Sequence, residues 1–361
     1  MRRFNPDRLA LARKRRALSK VRLADLLAIT TRTLGSFERG EREPPEAMIV
    51  RFSETLGFPT AFFYDQSIEE ISKRGASFRS LSSMTARQRD AVIAAGSIAT
   101  VVNAAIEERF DLPVPDVPDL FESTPEAAAM SLRSMWSLGE RPIANMIHLL
   151  ESKGVRVYSL TEDCTSVDAF CTWHREIPFV FLNTVKSGER GRYDAAHELG
   201  HLVLHRHGDP KGRAAELEAN QFASAFLMPA ASIRTRAPRV PSPNRLLELK
   251  RLFRVSPGAV VRRLYDLQLV SQWQYERACI EISKRGWRTA EPEGIPRERS
   301  QLLAKVFTEL RAEGVTFPLF AASVNLEPDE LASLVFHLVM TPVRGGGNGN
   351  GRRTPAPLQL V

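Results

Sequence analysis

The stretch AAHELGHLVLH, residues 195–205, decides how this chain is read. In an α-helix, side chains four apart lie on one face about one turn apart. His197 and His201 therefore offer two imidazoles to one ion, with Glu198 beside the remaining coordination position. This is the HExxH arrangement of zinc-dependent hydrolysis, with both histidines holding the metal and the glutamate acting on water as a general base. A catalytic zinc needs a third protein ligand and one open position. The next helical stretch, AELEANQFASAFLM (215–228), offers Glu216 and Glu218. Asn220 lies one turn after Glu216, so Glu216 can bind the metal while Asn220 orients a ligand histidine through its other ring nitrogen. At ~100° per residue, Glu218 points roughly 200° away from Glu216. The two cannot serve equally, and Glu216 is the expected ligand. His205 extends the stripe, but a straight helix places it about 12 Å beyond His197. It reads as a helix-end or packing residue.

The chain has 361 residues, a formal net charge of +8, 43% hydrophobic and 25% charged residues, which fits two or three soluble domains. Cys164, Cys171 and Cys279 are odd in number and lack paired metal spacing, which argues against a disulfide framework and for a reducing, cytoplasmic home. Ordinary buried thiols are favoured over redox sensing for Cys164 and Cys171. No apolar run follows the basic start MRRF, so no signal peptide is expected. DAVIAAGSIATVVNAAI (90–106) is broken by Gly96, Ser97, Thr100 and Asn103, and reads as a core helix rather than a membrane span.

Periodicity and punctuation predict a mainly α protein with a small β-sheet, an α+β class. Short amphipathic helices fill 1–64, and a helical connector over 65–123 includes a long helix opened by a Thr85/Gln88 capping box. LPVPDVPDL (112–120) ends that region, and a new domain over 124–236 opens with Thr124 as N-cap and Pro125 at the first helical position. Three strand-like runs, VRVYSL (155–160), VDAFCTWH (167–174) and PFVFLNT (178–184), precede the HELGH helix. The last of these is expected to form the edge strand of the substrate cleft, where an extended peptide can add. Residues 237–340 read as a helical C-terminal domain, and RGGGNGNGRRTPAP (344–357) marks a disordered tail over 341–361. LFRVSPGAVVRRLYDLQLV (252–270) has the outline of a second helix-turn-helix, with a packing role favoured because few basic residues face one way.

LADLLAITTRTLGSFERGEREPP (23–45) has the length and pattern of helix, turn and helix. Leu23, Ala24, Leu27, Leu34 and Phe37 are expected inside, and Thr31, Arg32, Gly35 and Ser36 outside, with Thr30 as the cap of the second helix. In this motif the second helix enters the major groove of double-stranded DNA. Arg13, Arg15, Arg16, Lys20 and Arg39 are expected at phosphates, where they contribute affinity rather than sequence choice.

Two resemblances follow from these residues. RGRYDAAHELGHLVLH (190–205) with ELEANQFASAFLMP (216–229) resembles the ImmA/IrrE-type metallopeptidases, less sharply over 125–235. That resemblance implies a compact gluzincin-like fold, zinc on His197, His201 and Glu216, and Glu198 as the catalytic carboxylate. No motif fixes the oxyanion stabiliser, and Tyr193, His174 and Arg190 are candidates. Residues 7–63 resemble the XRE/Cro-type helix-turn-helix family, most sharply at FERGEREP (37–44). Ala28 stands where that family commonly has a turn glycine, Lys20 where it has a glutamine, and Gly35 weakens the second helix. SFRSLSSMTARQRDA (77–91) resembles the joint between these modules in regulators that combine them. Together the resemblances imply a DNA-binding regulator whose peptidase cuts a partner transcriptional repressor, with a homodimer compatible. The rivals are a non-proteolytic transcription factor using the zinc pocket as a sensor, and an antitoxin-like repressor.

Overall fold

The computed structural model describes residues 3–71, 85–160, 168–207 and 212–339. Cys164, most of the polar connector after residue 65, the first part of the 77–91 joint and the glycine-rich tail lie outside the described residues.

The N-terminal bundle is built from short helices, each opened by a side-chain cap: α1 (Pro6–Arg15) by Asn5, α2 (Lys20–Leu26) by Ser19 and α3 (Thr31–Glu38) by Thr30. Each cap oxygen satisfies a backbone N–H left open by the first helical turn. Helix α4 (Glu46–Leu56) and a 3-10 turn, Thr60–Tyr64, close the bundle. Leu23, Ala24, Leu27, Leu34 and Phe37 are buried as the periodicity predicts. Phe52 packs edge-on against Phe37 at 6.1 Å between ring centroids. Ala28 sits in the α2–α3 turn at φ +48°, the left-handed conformation that a glycine adopts without penalty. An alanine there costs about 1 kcal/mol, and the turn is kept.

Helix α5 (Ala86–Glu107) opens with the capping box between Thr85 and Gln88. It is long and apolar enough to cross a membrane by composition, yet 67% of its most apolar window is buried inside the protein. A Cβ added at Gly96 would meet Phe170 at 3.3 Å and Ile71 still more closely, so this glycine lets α5 lie against neighbouring side chains.

Helices α6 (Pro125–Met135) and α7 (Met146–Ser152) precede the sheet, and Thr124 caps α6 as expected. The strands β1 (Arg156–Ser159), β2 (Ala169–His174) and β3 (Ile177–Leu182) form one sheet in the order β1-β3-β2. β1 runs parallel to β3, with Arg156 opposite Phe179, and β2 runs antiparallel to it, with Cys171 opposite Val180. The expectation of an edge strand at 178–184 is therefore corrected. β3 is central, and its run of buried residues reflects neighbours on both sides. Phe170 and Phe181 stack at 4.3 Å, fixing the β2–β3 register.

Helix α8 (Gly188–Leu204) carries the HELGH segment, and α9 (Arg213–Leu227) packs along it. The remaining described helices are α10 (Ala230–Arg234), α11 (Pro243–Phe253), α12 (Pro257–Asp266), α13 (Gln272–Lys284), α14 (Gln301–Ala312), α15 (Phe317–Ser323) and α16 (Pro328–Val339). Charged side chains fasten them to the sheet region by capping helix ends across it. Glu298 accepts from Met146 N and Ile147 N at the start of α7, at 2.6 and 3.1 Å. Glu151 accepts from Gln301 N and Leu302 N at the start of α14, at 3.0 and 3.1 Å. α11 and α12 do have a helix-turn-helix outline, with Arg254 in the left-handed turn at φ +57°. Their basic side chains are occupied, however. Lys250 pairs with Glu189 in the interior, Arg263 with Glu126, Arg251 with Glu293 and Arg262 with Asp266. The arrangement is that of packing helices.

Candidate metal centre and nucleic-acid interface

Seventeen residues of continuous helix, Gly188–Leu204, hold His197 and His201 one turn apart on a buried face. Gly200, between the two histidines, lets α9 approach closely. A Cβ there would come within 3.2 Å of Ala219 Cα and 3.0 Å of the Phe222 ring. That approach brings Glu216, from the first turn of α9, onto the histidine pair.

His197 Nε2 lies 3.2 Å from His201 Nε2. Glu216 reaches both rings, with Oε2 at 3.3 Å from His197 Nε2 and Oε1 at 3.5 Å from His201 Nε2. Zinc bonds of ~2.0–2.1 Å in a tetrahedron require donor–donor edges of about 3.3 Å. The three observed separations fall at that spacing, so the donor set fits a zinc ion, and it is the one group of three or more such donors found among the described residues. Burial pulls the His201 imidazole down to about 4, against the upward pull of Glu216. Burial alone would raise the Glu216 carboxyl, but hydrogen bonds with His197 and His201 outweigh it and hold the group well below the usual carboxylate range. A neutral imidazole and an ionised carboxylate are the states in which both groups bind a cation. Glu198, adjacent to His197 on the same helix, is fully buried.

The structure corrects the expected partner of the ligand histidines. Asn220 Nδ2 donates to Glu216 O of its own helix at 2.7 Å, and the Asn220 backbone carbonyl accepts from the Tyr193 hydroxyl at 3.1 Å. It thus secures α9 against α8. The contact to a ligand ring is made by His205 instead: His205 Nδ1 lies 3.0 Å from His201 Nδ1, and His205 Nε2 lies 2.8 Å from Glu218 Oε2. Of the oxyanion candidates, Tyr193 is engaged with α9, and His174 ends β2 with its ring edge-on to Phe179. Arg190 is exposed at the start of α8. Tyr193 and Arg190 both line a cavity of about 510 Å³ between α8, α12 and α13, which also receives Cys279. Cys171 is buried in β2.

Gly200→Val is expected to part α8 from α9, costing about 1–3 kcal/mol in overpacking and moving Glu216 off the histidines. Thermal unfolding together with zinc titration checks this. A variant as stable and as zinc-competent as wild type would contradict the role given to the close approach.

On the N-terminal bundle, Thr31 and Arg32 are exposed at the start of α3. Ser36 is half-buried and donates to Thr33 O at 2.8 Å. Gly35 lies on the outer face as expected but is covered by the Arg39 side chain; a Cβ there would meet Arg39 Nη1 at 3.0 Å. Arg39 is exposed and pairs with Glu41 at 2.6 Å, and Lys20 is half-exposed and pairs with Glu38 at 3.0 Å. Three of the expected phosphate contacts are corrected. Arg13 is nearly buried against Glu38, while Arg15 and Arg16 pair with Glu330 of α16. Their charge is used inside the protein.

A buried two-helix donor set beside a small mixed sheet, joined to a capped helix-turn-helix, defines a metallopeptidase-like unit carrying a DNA-binding module. Comparison with known families gives the same two parts. The peptidase M78 family model, described as the IrrE N-terminal-like domain, matches residues 150–265, and a helix-turn-helix model matches residues 9–63. The chain is a fusion of these two modules. The peptidase match runs through α12, across the proline-rich segment 238–243. No curated protein matches the chain.

Proposed function

We propose that this chain is a cytoplasmic, DNA-binding transcriptional regulator that is also a zinc-dependent endopeptidase, with a partner repressor protein as its substrate. The observation that carries the reading is the donor triangle of His197, His201 and Glu216 at tetrahedral spacing, with Glu198 buried on the same helix. When bound there, zinc acts as a Lewis acid toward a peptide carbonyl and toward water. Glu198 takes the proton of the attacking water and hands it to the departing amide nitrogen, the work of a general base turned general acid. Burial favours this role, because a carboxylate shielded from bulk water interacts strongly with charge that develops close by. Family membership of the 150–265 segment supports the reaction class, and the helix-turn-helix supports action near operator DNA. Comparing protein termini in cells carrying wild type and Glu198→Gln tests it. New termini in a repressor, present only with wild type, are expected; identical terminomes would reject proteolysis.

For DNA, Arg32 and Thr31 are proposed at base edges, with Ser36 beside them and Lys20 and Arg39 at phosphates. Arg32→Ala is expected to cost ~1–3 kcal/mol and relax preference at one base position, while Lys20→Ala weakens all sequences alike and lowers the salt slope by about 1. Binding measured across mutated operators at several salt concentrations separates the two. Equal effects of both variants on every sequence would contradict the division of roles.

A further inference from the structure

The chain of contacts that leaves the donor triangle is not used by the mechanism above. It runs from His201 Nδ1 to His205 Nδ1 at 3.0 Å, and from His205 Nε2 to Glu218 Oε2 at 2.8 Å. We propose that His205 and Glu218 are positioning residues that fix the tautomer and ring angle of His201 for metal binding. The proposal rests on the reading of His197, His201 and Glu216 as a metal site.

The argument is one of proton placement. An imidazole that binds a cation through Nε2 carries its proton on Nδ1. His201 directs Nε2 at the donor triangle, so its Nδ1–H must donate, and the atom facing it is His205 Nδ1. A neutral ring that accepts at Nδ1 carries its own proton at Nε2. That N–H meets Glu218 Oε2, an acceptor when ionised. Each link thus permits one assignment, and the carboxylate at the end sets the direction of the whole chain. The geometry also follows from the fold. His205 is the C-cap residue of α8, at φ −125° and ψ 25°, one turn beyond His201. Glu218 lies two residues after Glu216 on α9, so the two acids serve opposite ends of the His201 ring: Glu216 at Nε2 and Glu218, through His205, at Nδ1. His197 differs, because its Nδ1 is buried with no hydrogen-bond partner among the described residues. Only one ring of the pair is held in this way by described side chains, and orientation at His201 falls to His205.

The test is zinc affinity of the full chain, measured by competition with a chromophoric chelator. It uses wild type, His205→Ala, Glu218→Ala, Glu218→Gln and the His205→Ala/Glu218→Ala double variant. Loss of a partner behind a ligand histidine typically weakens metal binding by about 10–100-fold, and a loss in that range is expected for each alanine variant. Because the two residues act as one chain, the double variant is expected to bind like His205→Ala alone. Glu218→Gln keeps an acceptor oxygen and is expected to stay within a few-fold of wild type. A purely structural contact gives neither this non-additivity nor this rescue. Glu218 is half-exposed, at 48% of its side chain, so its substitutions leave the core intact even where His205→Ala disturbs folding. Wild-type zinc affinity in Glu218→Ala, or losses that simply add, would overturn the positioning role while leaving the metal site standing. A wild-type chain that binds no zinc would overturn the metal reading, and the positioning role with it.

Discussion

Glu198→Gln protein is expected to bind zinc as tightly as wild type and to cleave its protein substrate about 10²–10⁴ times more slowly, the usual contribution of a positioned general base. The replacement is isosteric, and Glu198 is not among the donors that meet at the triangle. The amide cannot take up a proton, so the attacking water keeps it and the leaving amine receives none. Zinc content by elemental analysis and cleavage rate on the purified substrate separate binding from chemistry. The same variant distinguishes the peptidase from its rival. A regulator that uses the metal pocket only as a sensor would keep its transcriptional response in Glu198→Gln, whereas a regulator that acts by proteolysis would lose it.

The second large effect lies far from the metal. Glu330→Ala is expected to cost about 3–5 kcal/mol of stability, the usual result of leaving a buried charge without its partner. Arg15 and Glu330 each have 2% of the side chain exposed, and their ion pair is 2.5 Å long. Arg16 adds a second contact to Glu330 at 2.6 Å, and its guanidinium also donates to Leu56 O and Gly57 O. Nearby, Ser159 Oγ of β1 donates to Ser333 O at 2.9 Å. One turn of α16 therefore joins the DNA-binding bundle to the peptidase sheet. Chemical denaturation of wild type and Glu330→Ala measures the cost. Replacing Arg15 and Glu330 together by apolar residues of similar volume is expected to recover much of the loss, since the fully buried guanidinium leaves with its partner. Arg16 is 27% exposed and keeps its contacts to Leu56 O and Gly57 O. A loss below about 1 kcal/mol in Glu330→Ala, the size of an exposed pair, would contradict this account of the joint.

What was legible in the sequence was what local periodicity encodes. The shared face of His197 and His201 follows from helical spacing, and the caps at Thr30, Thr85 and Thr124 follow from hydroxyls placed before apolar runs. The choice of Glu216 rests on its spacing to Asn220, whose expected contact to a ligand ring the structure does not make. Strand order was not legible, because a buried run such as PFVFL is equally consistent with a central strand and a covered edge. The fate of Arg15 and Arg16 was hidden for a different reason: their partner is 315 and 314 residues away in sequence. Without it, a basic run in a DNA-binding module reads as a phosphate contact. His205 stands at the C-cap of α8, the helix-end place expected of it. Its contact with His201 was not legible, because axial distance from His197 excludes a ligand but says nothing about reach to His201. Gly200 was the missed signal. A glycine between two metal-spaced histidines marks where a second helix comes close, and that approach selects the third donor.

The measurement that tests the central claim most directly is the zinc content of the purified full chain and of Glu216→Ala. One zinc per chain is expected in wild type. Glu216→Ala is expected to lose it, with a fall in affinity larger than the ~10–100-fold that a partner behind a ligand costs, because a donor itself is gone. Equal zinc in both proteins would contradict the assignment of Glu216, and a wild-type protein that takes up no zinc would contradict the metal centre altogether.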